Sequence, residues 1–173
     1  MKSSIALIGF MGTGKTAAGK ALAERLGKEF IELDALIELK AGKTIPEIFQ
    51  QDGEIAFRGL EIGVTKEVSQ RKNAVIACGG GVVLNKINID RLKEECLIVY
   101  LTASPRVILK RTSGDENRPL LKTTERALRI RELLKFRKPF YERAADITIN
   151  TSKLDITSVV EQIINKLKEG EIV

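Results

Sequence analysis

Near the amino terminus, a lysine and a threonine follow glycines at a spacing that favours phosphate binding. Gly9, Gly14, Lys15 and Thr16 fill the pattern Gly-x-x-x-x-Gly-Lys-Ser/Thr, and an apolar run beginning at Ile5 precedes them. Glycines let the backbone turn so that several N–H groups and the positive end of the next helix face an anion. Lys15 adds a charge for the β- and γ-phosphates, and the Thr16 hydroxyl is placed to bind Mg²⁺. The stretch therefore predicts a nucleoside triphosphate site.

The same stretch also fits a second pattern, the dinucleotide fingerprint. Gly12-x-Gly14-x-x-Ala17 matches its glycines, and Asp34 lies near the position of a ribose-binding acid. That fingerprint begins directly after the strand and needs no Lys-Thr pair. Here the strand is predicted to end near Gly9, so the contiguous Gly-Lys-Thr favours the mononucleotide interpretation.

Two carboxylates in the second predicted strand are candidates for acid–base or metal chemistry. The chain has no histidine, so a general base must be a carboxylate. Glu32 and Asp34 bracket Leu33, and on a strand their side chains would project to one face. The plainer alternatives are a solvated charge for Glu32 and a helix N-cap for Asp34. An ordinary ATPase has an aspartate for Mg²⁺ at the end of strand three, but Cys78 occupies that position here. The carboxylate near a metal is therefore expected from strand two.

Glycines and arginines complete the candidate site. Gly79, Gly80 and Gly81 directly follow a strand and predict close approach of the main chain to a ligand. Arg58 is either one half of a surface pair with Glu61 or a buried cation that binds a carboxylate or diol. Arg118 lies in a polar stretch, about 112–124, that predicts a mobile lid. Arg137 lies on a helix rich in basic residues, so its position alone does not select it.

The bulk composition limits the classes of protein to consider. The 173 residues are 43% hydrophobic and 30% charged, which predicts one domain, 1–173. The net charge of +6 suits an anionic small molecule or nucleic acid. The basic run from Arg126 to Arg143 lacks interleaved aromatic residues and a binding motif, so nucleic acid is disfavoured. Cys78 and Cys96 lack metal-ligand spacing and are expected to be buried thiols. No long apolar segment occurs, and we expect a soluble, cytoplasmic monomer.

Strands and helices alternate along the chain. Apolar runs predict strands at 3–9, 29–33, 74–78, 97–101 and 147–149. Helical patterns cover 15–26, 35–71 with breaks near Gly42 and Gly53, a segment from about 104, 125–145 and 155–168. This alternation predicts an α/β fold, a three-layer α/β/α sandwich with a five-stranded parallel sheet. Ligands bind at the carboxyl ends of such strands, where the phosphate loop, Asp34 and the glycine triplet would meet.

Taken together, the motifs resemble the shikimate kinase family, P-loop kinases of the nucleoside-monophosphate-kinase type. The resemblance spans nearly the whole chain in family order. Its elements are Gly9–Thr16, Glu32-Leu-Asp34 with Ile37-Glu38, Ile48-Phe49, Gly53-Glu54, Phe57-Arg58-x-x-Glu61, Gly79–Gly81, Asn117-Arg118-Pro119-Leu120-Leu121, and Arg137-x-Pro139-x-Tyr141. The family commonly has Asp where this chain has Glu32, so the role of that residue in holding Mg²⁺ is left open.

The resemblance implies transfer of the γ-phosphate of ATP to the 3-hydroxyl of shikimate, with Mg²⁺. It implies catalytic roles for Asp34, Lys15 and Arg118. The implied ATP-binding residues are Gly12, Thr13, Gly14, Lys15, Thr16, Ala17, Arg111, Arg118 and Lys153, the last within a loop from Thr151 that flanks adenine. The implied acceptor-binding residues are Asp34, Phe49, Phe57, Arg58, Gly79, Gly80, Gly81 and Arg137, many within the helical segment 34–61. The implied metal-binding residues are Thr16 and Glu32.

Other functions are weighed against this one. A kinase of the same fold acting on gluconate or a nucleoside monophosphate is the nearest alternative. A GTP-dependent switch is disfavoured because the sequence contains neither Asp-x-x-Gly nor Asn-Lys-x-Asp.

Overall fold

A five-stranded parallel sheet forms the centre of the molecule. The computed structural model describes residues 1–113 and 121–171. The strands are β1 (Ser4–Ile8), β2 (Glu29–Glu32), β3 (Ala74–Ala77), β4 (Cys96–Thr102) and β5 (Ile147–Asn150). Their order across the sheet is β2-β3-β1-β4-β5, and every neighbouring pair is parallel. The predicted α/β fold with this sheet is confirmed.

Helices connect the strands and cover both faces. They are α1 (Lys15–Leu26), α2 (Leu33–Ala41), α3 (Ile45–Gln51), α4 (Glu54–Val68), α5 (Lys86–Glu95), α6 (Pro105–Thr112), α7 (Leu121–Ala144) and α8 (Ile156–Glu171). A short 3₁₀ helix occupies Val82–Leu84. No helix in the described part of the chain combines the length and apolar character that crossing a bilayer requires.

The central strand β1 shows why the sheet is buried on both faces. Ala6 and Ile8 pack with the cluster beneath α2, α4 and α5, whereas Ile5 and Leu7 pack with the cluster beneath α1 and α8. Successive side chains of a strand point to opposite faces, so a strand covered on both sides must be apolar throughout. All five residues of β1 are buried. Because the glycine-rich turn follows directly after Ile8, the buried strand holds the start of that turn in place.

The helices between β2 and β3 follow local signals in the sequence. Gly42 and Gly53 have φ of 68° and 87°, a left-handed conformation that favours glycine, and each separates two helices. The Thr44 hydroxyl accepts a hydrogen bond from the Glu47 N–H, which forms the predicted capping box of α3.

Three local predictions differ from the structure. Helix α2 begins at Leu33, so Asp34 lies in its first turn; Glu32 is the N-cap and makes no side-chain cap bond. The predicted N-cap role of Asp34 is therefore wrong. Helix α7 begins at Leu121, within the predicted loop 112–124, and Thr112 ends α6; residues 114–120 of the predicted lid lie outside the described residues. Helix α5 was not assigned from sequence because its residues are mostly polar or charged.

Candidate active site

Residues 9–14 form a glycine-rich turn between β1 and α1. Gly12 and Gly14 have φ of 76° and 91°, a region that residues with a β-carbon rarely adopt. Gly14 caps α1 without a side-chain bond, which leaves N–H groups of the first turn free for an anion. A β-carbon on Gly9 would overlap the Leu101 carbonyl oxygen of β4, so the turn is also packed tightly against the sheet.

Lys15 lies inside this turn. Its ammonium donates to the carbonyl oxygens of Gly9 at 2.7 Å and Phe10 at 2.8 Å. Burial lowers the pKa of Lys15 to about 8, while the negative charge of Asp34 acts in the opposite direction. The cation is thus held in place by the turn itself and lies close enough to Asp34 for the two charges to interact.

Asp34 is a partly buried carboxylate with unused hydrogen-bonding capacity. Its Oδ1 atom is buried and has no hydrogen-bond partner among the described residues. Burial raises the pKa of Asp34 above its usual value, and the nearby Lys15 ammonium opposes that rise. A partly buried carboxylate with a raised pKa is suited to accept a hydrogen bond, and then a proton, from a bound hydroxyl.

Each glycine of the triplet contacts a different side chain. A β-carbon on Gly79 would lie 2.7 Å from Asp34 Oδ1, and one on Gly80 would lie 3.4 Å from Arg137 Nη1. A β-carbon on Gly81 would overlap Arg58 Nη1 and lie 2.6 Å from its Nη2. The predicted close approach to a ligand stays a prediction. The absence of β-carbons on Gly79 and Gly81 lets Asp34 and Arg58 pack against this short turn, and Arg137 adjoins it at Gly80 without such a requirement.

That turn also adjoins the phosphate loop. The same β-carbon position on Gly80 lies 3.6 Å from the Gly9 carbonyl oxygen and 3.7 Å from the Met11 nitrogen. The backbone segments that follow β1 and β3 are therefore in contact. The glycine-rich turn therefore lies on one side, and a carboxylate with two guanidinium groups on the other, of the region that we call the cleft.

Arg58 is largely buried, with 17% of its side chain exposed. Its Nη1 donates to Glu61 Oε1 at 3.0 Å, and Glu61 is 1% exposed. Burial raises the pKa of Glu61, which the Arg58 guanidinium opposes. The pair with Glu61 is formed but largely buried, so it is not the surface pair of the first alternative. The binding of a carboxylate or diol by Arg58 stays a prediction.

Arg137 faces an aromatic ring, and the next turn of its helix is bonded to the glycine triplet. Its guanidinium carbon lies 5.6 Å from the centre of the Phe10 ring, a cation–π distance. Its Nε has no hydrogen-bond partner among the described residues. One turn along α7, Tyr141 donates from its hydroxyl to the Gly80 carbonyl oxygen at 2.5 Å, and burial raises the pKa of Tyr141 to about 12. Tyr141 therefore remains a donor at neutral pH and ties α7 to the glycine triplet.

Two phenylalanines lie beside Arg58. The Phe49 and Phe57 rings are 4.7 Å apart, and the Arg58 guanidinium lies 5.2 Å from the Phe57 ring. Phe57 is 5% exposed and Phe49 is 39% exposed. Phe57 is thus part of the core, and Phe49 presents an apolar surface that a ligand can cover.

Arg111 joins the phosphate loop to the residues after β5. It donates to the Gly12 carbonyl oxygen at 3.2 Å, and to the hydroxyl and carbonyl oxygens of Thr151 at 3.0 and 2.8 Å. Lys153, two residues further on, is exposed. Arg118 lies outside the described residues, so its predicted role stays a prediction.

The predicted metal-binding residues, Thr16 and Glu32, lie where α1 and α2 begin, beyond the carboxyl end of β1 and at that of β2. Thr16 is exposed in the first turn of α1, and Glu32 is partly exposed at the end of β2. Among the described residues, no group of three or more carboxylate, histidine or cysteine side chains is placed to enclose a metal ion. This donor set fits a cation held through phosphate and water, as Mg²⁺ usually is.

Sequence reasoning did not single out Phe10 or the hydroxyl of Thr151 as parts of the site. Phe10 faces Arg137, and the Thr151 hydroxyl donates to the Thr13 carbonyl oxygen at 3.2 Å. Both contacts join residues more than a hundred positions apart in the chain. No local pattern signals such a contact, and the topology alone brings these residues together.

The fold and this cleft define an ATP-dependent phosphotransferase of the P-loop kinase class. The family model for shikimate kinase matches residues 11–168. The shikimate kinase of Pelotomaculum thermopropionicum is 45% identical over 96% of this chain and 96% of its own length. That of Caldanaerobacter subterraneus is 48% identical over 93% and 94%. The chain belongs to the shikimate kinase family, and the resemblance described above is confirmed.

Solved structures agree with this assignment. Shikimate kinase from Acinetobacter baumannii, solved in complex with shikimate, superposes with a TM-score of 0.91 at 39% identity, covering 100% of this chain and 97% of the other. A gluconokinase from Sinorhizobium meliloti has a TM-score of 0.60 at 17% identity, which reflects the shared fold alone.

Proposed function

We propose that this chain transfers the γ-phosphate of ATP to the 3-hydroxyl of shikimate, giving shikimate 3-phosphate and ADP. The observation that carries the proposal is the convergence of Asp34, Arg58 and Arg137 on a glycine triplet that adjoins the phosphate loop. Two guanidinium groups beside one carboxylate suit an acceptor that has both an acidic group and hydroxyls. The shikimate bound to the Acinetobacter relative supports the same acceptor.

The nucleotide side consists of the phosphate loop and its surroundings. Main-chain N–H groups of Gly12 to Ala17 would bind the phosphates, and the Lys15 ammonium would neutralise charge on the transferred group. Arg111 and Lys153 would flank the adenine, and Arg118 would reach the phosphates. Because the transition state of phosphoryl transfer is loose, positioning and charge neutralisation supply most of the rate.

The acceptor side uses the cleft beyond the loop. Asp34 would orient the 3-hydroxyl with its carboxylate and take the proton late in the reaction. Arg58 and Arg137 would bind the carboxylate and ring hydroxyls, while Phe49 and Phe57 would pack against the ring. Glu61 keeps Arg58 in place through their hydrogen bond.

Mg²⁺ is the expected metal ion. When bound, it would neutralise charge on the β- and γ-phosphates. The Thr16 hydroxyl would hold it, with Glu32 acting through water. We expect the active form to be a monomer.

A coupled assay of ADP release tests the proposal. Wild-type protein is incubated with ATP and Mg²⁺, and shikimate, gluconate or a nucleoside monophosphate is added in turn. Release of ADP that depends on both shikimate and Mg²⁺ supports the assignment. Faster release with gluconate or a nucleoside monophosphate than with shikimate overturns it.

A further inference from the structure

The loop after β5 contacts the phosphate loop through one buried hydroxyl. Thr151 is 2% exposed. Its Oγ1 lies 3.2 Å from the Thr13 carbonyl oxygen and 3.1 Å from the Thr102 carbonyl oxygen, and it accepts a hydrogen bond from Arg111 Nη1. The hydroxyl has one proton to donate. Because the Thr102 carbonyl oxygen already accepts the Thr151 N–H at 2.7 Å, we assign that proton to the Thr13 carbonyl oxygen, so the hydroxyl joins the phosphate loop to Arg111 of α6.

The position of this hydroxyl is fixed by the sheet. The Thr151 N–H donates to the Thr102 carbonyl oxygen at 2.7 Å, which continues the pairing of β4 with β5. The Thr151 carbonyl oxygen accepts from Arg111 Nη2 at 2.8 Å and from the Leu154 N–H at 3.2 Å. Because its backbone groups are all engaged, Thr151 offers a rigid point of attachment to the phosphate loop.

The geometry of the peptide bond relates these carbonyl contacts to the direction of the N–H group that follows each carbonyl. In a trans peptide the carbonyl oxygen of one residue and the N–H of the next point in opposite directions within one plane, and no cis bond occurs in the described chain. Holding the Gly12 carbonyl at Arg111 and the Thr13 carbonyl at Thr151 therefore turns the Thr13 N–H away from Arg111 and the Gly14 N–H away from Thr151. Gly14 is exposed, and a β-carbon on it would meet nothing within 4 Å.

We infer that the Thr151 hydroxyl is a positioning group for the phosphate loop, which aims the Gly14 N–H at the β-phosphate of the nucleotide. It acts through the Thr13 peptide and does not itself touch the phosphates. The inference rests on the nucleotide half of the proposed function. Its effect should therefore appear with nucleotides that carry a β-phosphate and leave acceptor binding unchanged.

Thr151→Val removes the hydroxyl and keeps the shape of the side chain. We expect the Kd for ADP, measured by displacement of a fluorescent nucleotide, to rise about fivefold to tenfold, the size of one lost hydrogen bond. The Kd for AMP, which has no β-phosphate, should change less than about twofold. The KM for shikimate should also stay within about twofold of the wild-type value. Thr151→Ser keeps the hydroxyl and should restore ADP binding to near the wild-type value.

Thr65→Val is a matched control. The Thr65 hydroxyl is buried within α4 and has no hydrogen-bond partner among the described residues, so its loss should leave ADP binding unchanged. If Thr151→Val does not fold, Thr151→Ala removes the same hydroxyl without a risk of overpacking. In either variant, an unchanged Kd for ADP overturns the inference. Equal weakening of ADP and AMP also overturns it, because the residue would then act on the adenine pocket or on the fold as a whole.

The two proposals can fail separately. ADP binding is measured without an acceptor, so a wild-type protein that does not phosphorylate shikimate refutes the acceptor assignment alone. If the protein phosphorylates shikimate but its Kd for ADP is unchanged when the Thr151 hydroxyl is removed, the positioning role alone is refuted.

Discussion

The Asp34 carboxylate packs directly against the α-carbon of Gly79, and no side chain fits between them. A β-carbon on Gly79 would lie 2.7 Å from Asp34 Oδ1 and 3.4 Å from Glu61 Oε2. Both of these oxygens are buried and lack a hydrogen-bond partner among the described residues. The glycine therefore sets the distance between the proposed base and the end of β3.

Gly79→Ala should impair the acceptor side of the reaction. The added methyl group would displace the Asp34 carboxylate, and a misplaced catalytic group lowers turnover by roughly a hundredfold. Steady-state kinetics should show a lower kcat with the Kd for ADP unchanged. Gly63→Ala is the control: Gly63 lies in α4 with nothing within 4 Å of a β-carbon, so alanine should stabilise the fold by about 0.5–1 kcal/mol without loss of activity. Wild-type kcat in Gly79→Ala would contradict the proposed geometry.

Asp34→Asn should separate nucleotide binding from turnover. The amide has nearly the same shape but cannot accept the hydroxyl proton, and loss of such a proton transfer costs about 10²–10⁴-fold in rate. We expect kcat to fall by that amount while calorimetry shows nearly normal ATP binding. Asp52→Asn, which changes an exposed partner of Lys43, serves as the control. Full turnover by Asp34→Asn would remove Asp34 from its assigned role.

Arg58→Ala and Arg137→Ala should each weaken shikimate binding. Removing one charged hydrogen-bond donor from a largely dry site costs about 1.5–3 kcal/mol, or roughly 10- to 150-fold in Kd. Calorimetry with shikimate, paired with ADP titrations, measures both sides of the cleft. Arg25→Ala breaks an ion pair with Glu161 in which both side chains are about half exposed, and it should change neither affinity. Normal shikimate affinity in both site variants would refute the acceptor assignment.

The pKa of Lys15 predicts how stability depends on pH. Its value is about 8 in the folded protein against 10.5 for an unperturbed lysine, because burial disfavours the charged form. Between these two values the unfolded chain binds more protons at this site, so stability rises with pH. The unfolding free energy of wild type minus that of Lys15→Met should therefore increase from about pH 8 to pH 10.5 and stay flat below pH 8.

Urea titrations of both proteins at several pH values test this prediction. The slope attributable to Lys15 cannot exceed about 1.4 kcal/mol per pH unit, the value for one proton. Lys15→Arg serves as a second comparison, since arginine keeps its charge over the whole range. A difference between wild type and Lys15→Met that is independent of pH would show that Lys15 is not desolvated as its burial indicates.

Prediction from sequence succeeded where function depends on residues close together in the chain. The phosphate loop requires contiguous glycines, a lysine and a threonine, and the strand before it shows a simple apolar pattern. The capping box at Thr44 and the glycine breaks at Gly42 and Gly53 are local for the same reason. In each case the physical cause lies within a few residues, so the sequence displays it directly.

Prediction from sequence was less complete where contacting residues are distant in the chain or where the local sequence pattern fits two structures. From its sequence position Asp34 could be an N-cap or a functional carboxylate; the helix start at Leu33 excludes the N-cap, and the functional role stays a prediction. The contact of Phe10 with Arg137 depends on how α7 packs beside the turn that follows β1. Helix α5 was missed because its core-facing positions are few among charged residues, and tertiary packing defines its limits.

The glycine triplet has a further consequence for how this chain tolerates change. Three helices each place one side chain against this turn: Asp34 of α2 lies at Gly79, Arg137 of α7 at Gly80, and Arg58 of α4 at Gly81. An insertion or deletion there would shift all three contacts together, so Gly79–Gly81 is a segment of fixed length. The turn at 70–73, which precedes β3 at the opposite end of that strand, has no such constraint from the cleft and is the better place to lengthen the chain.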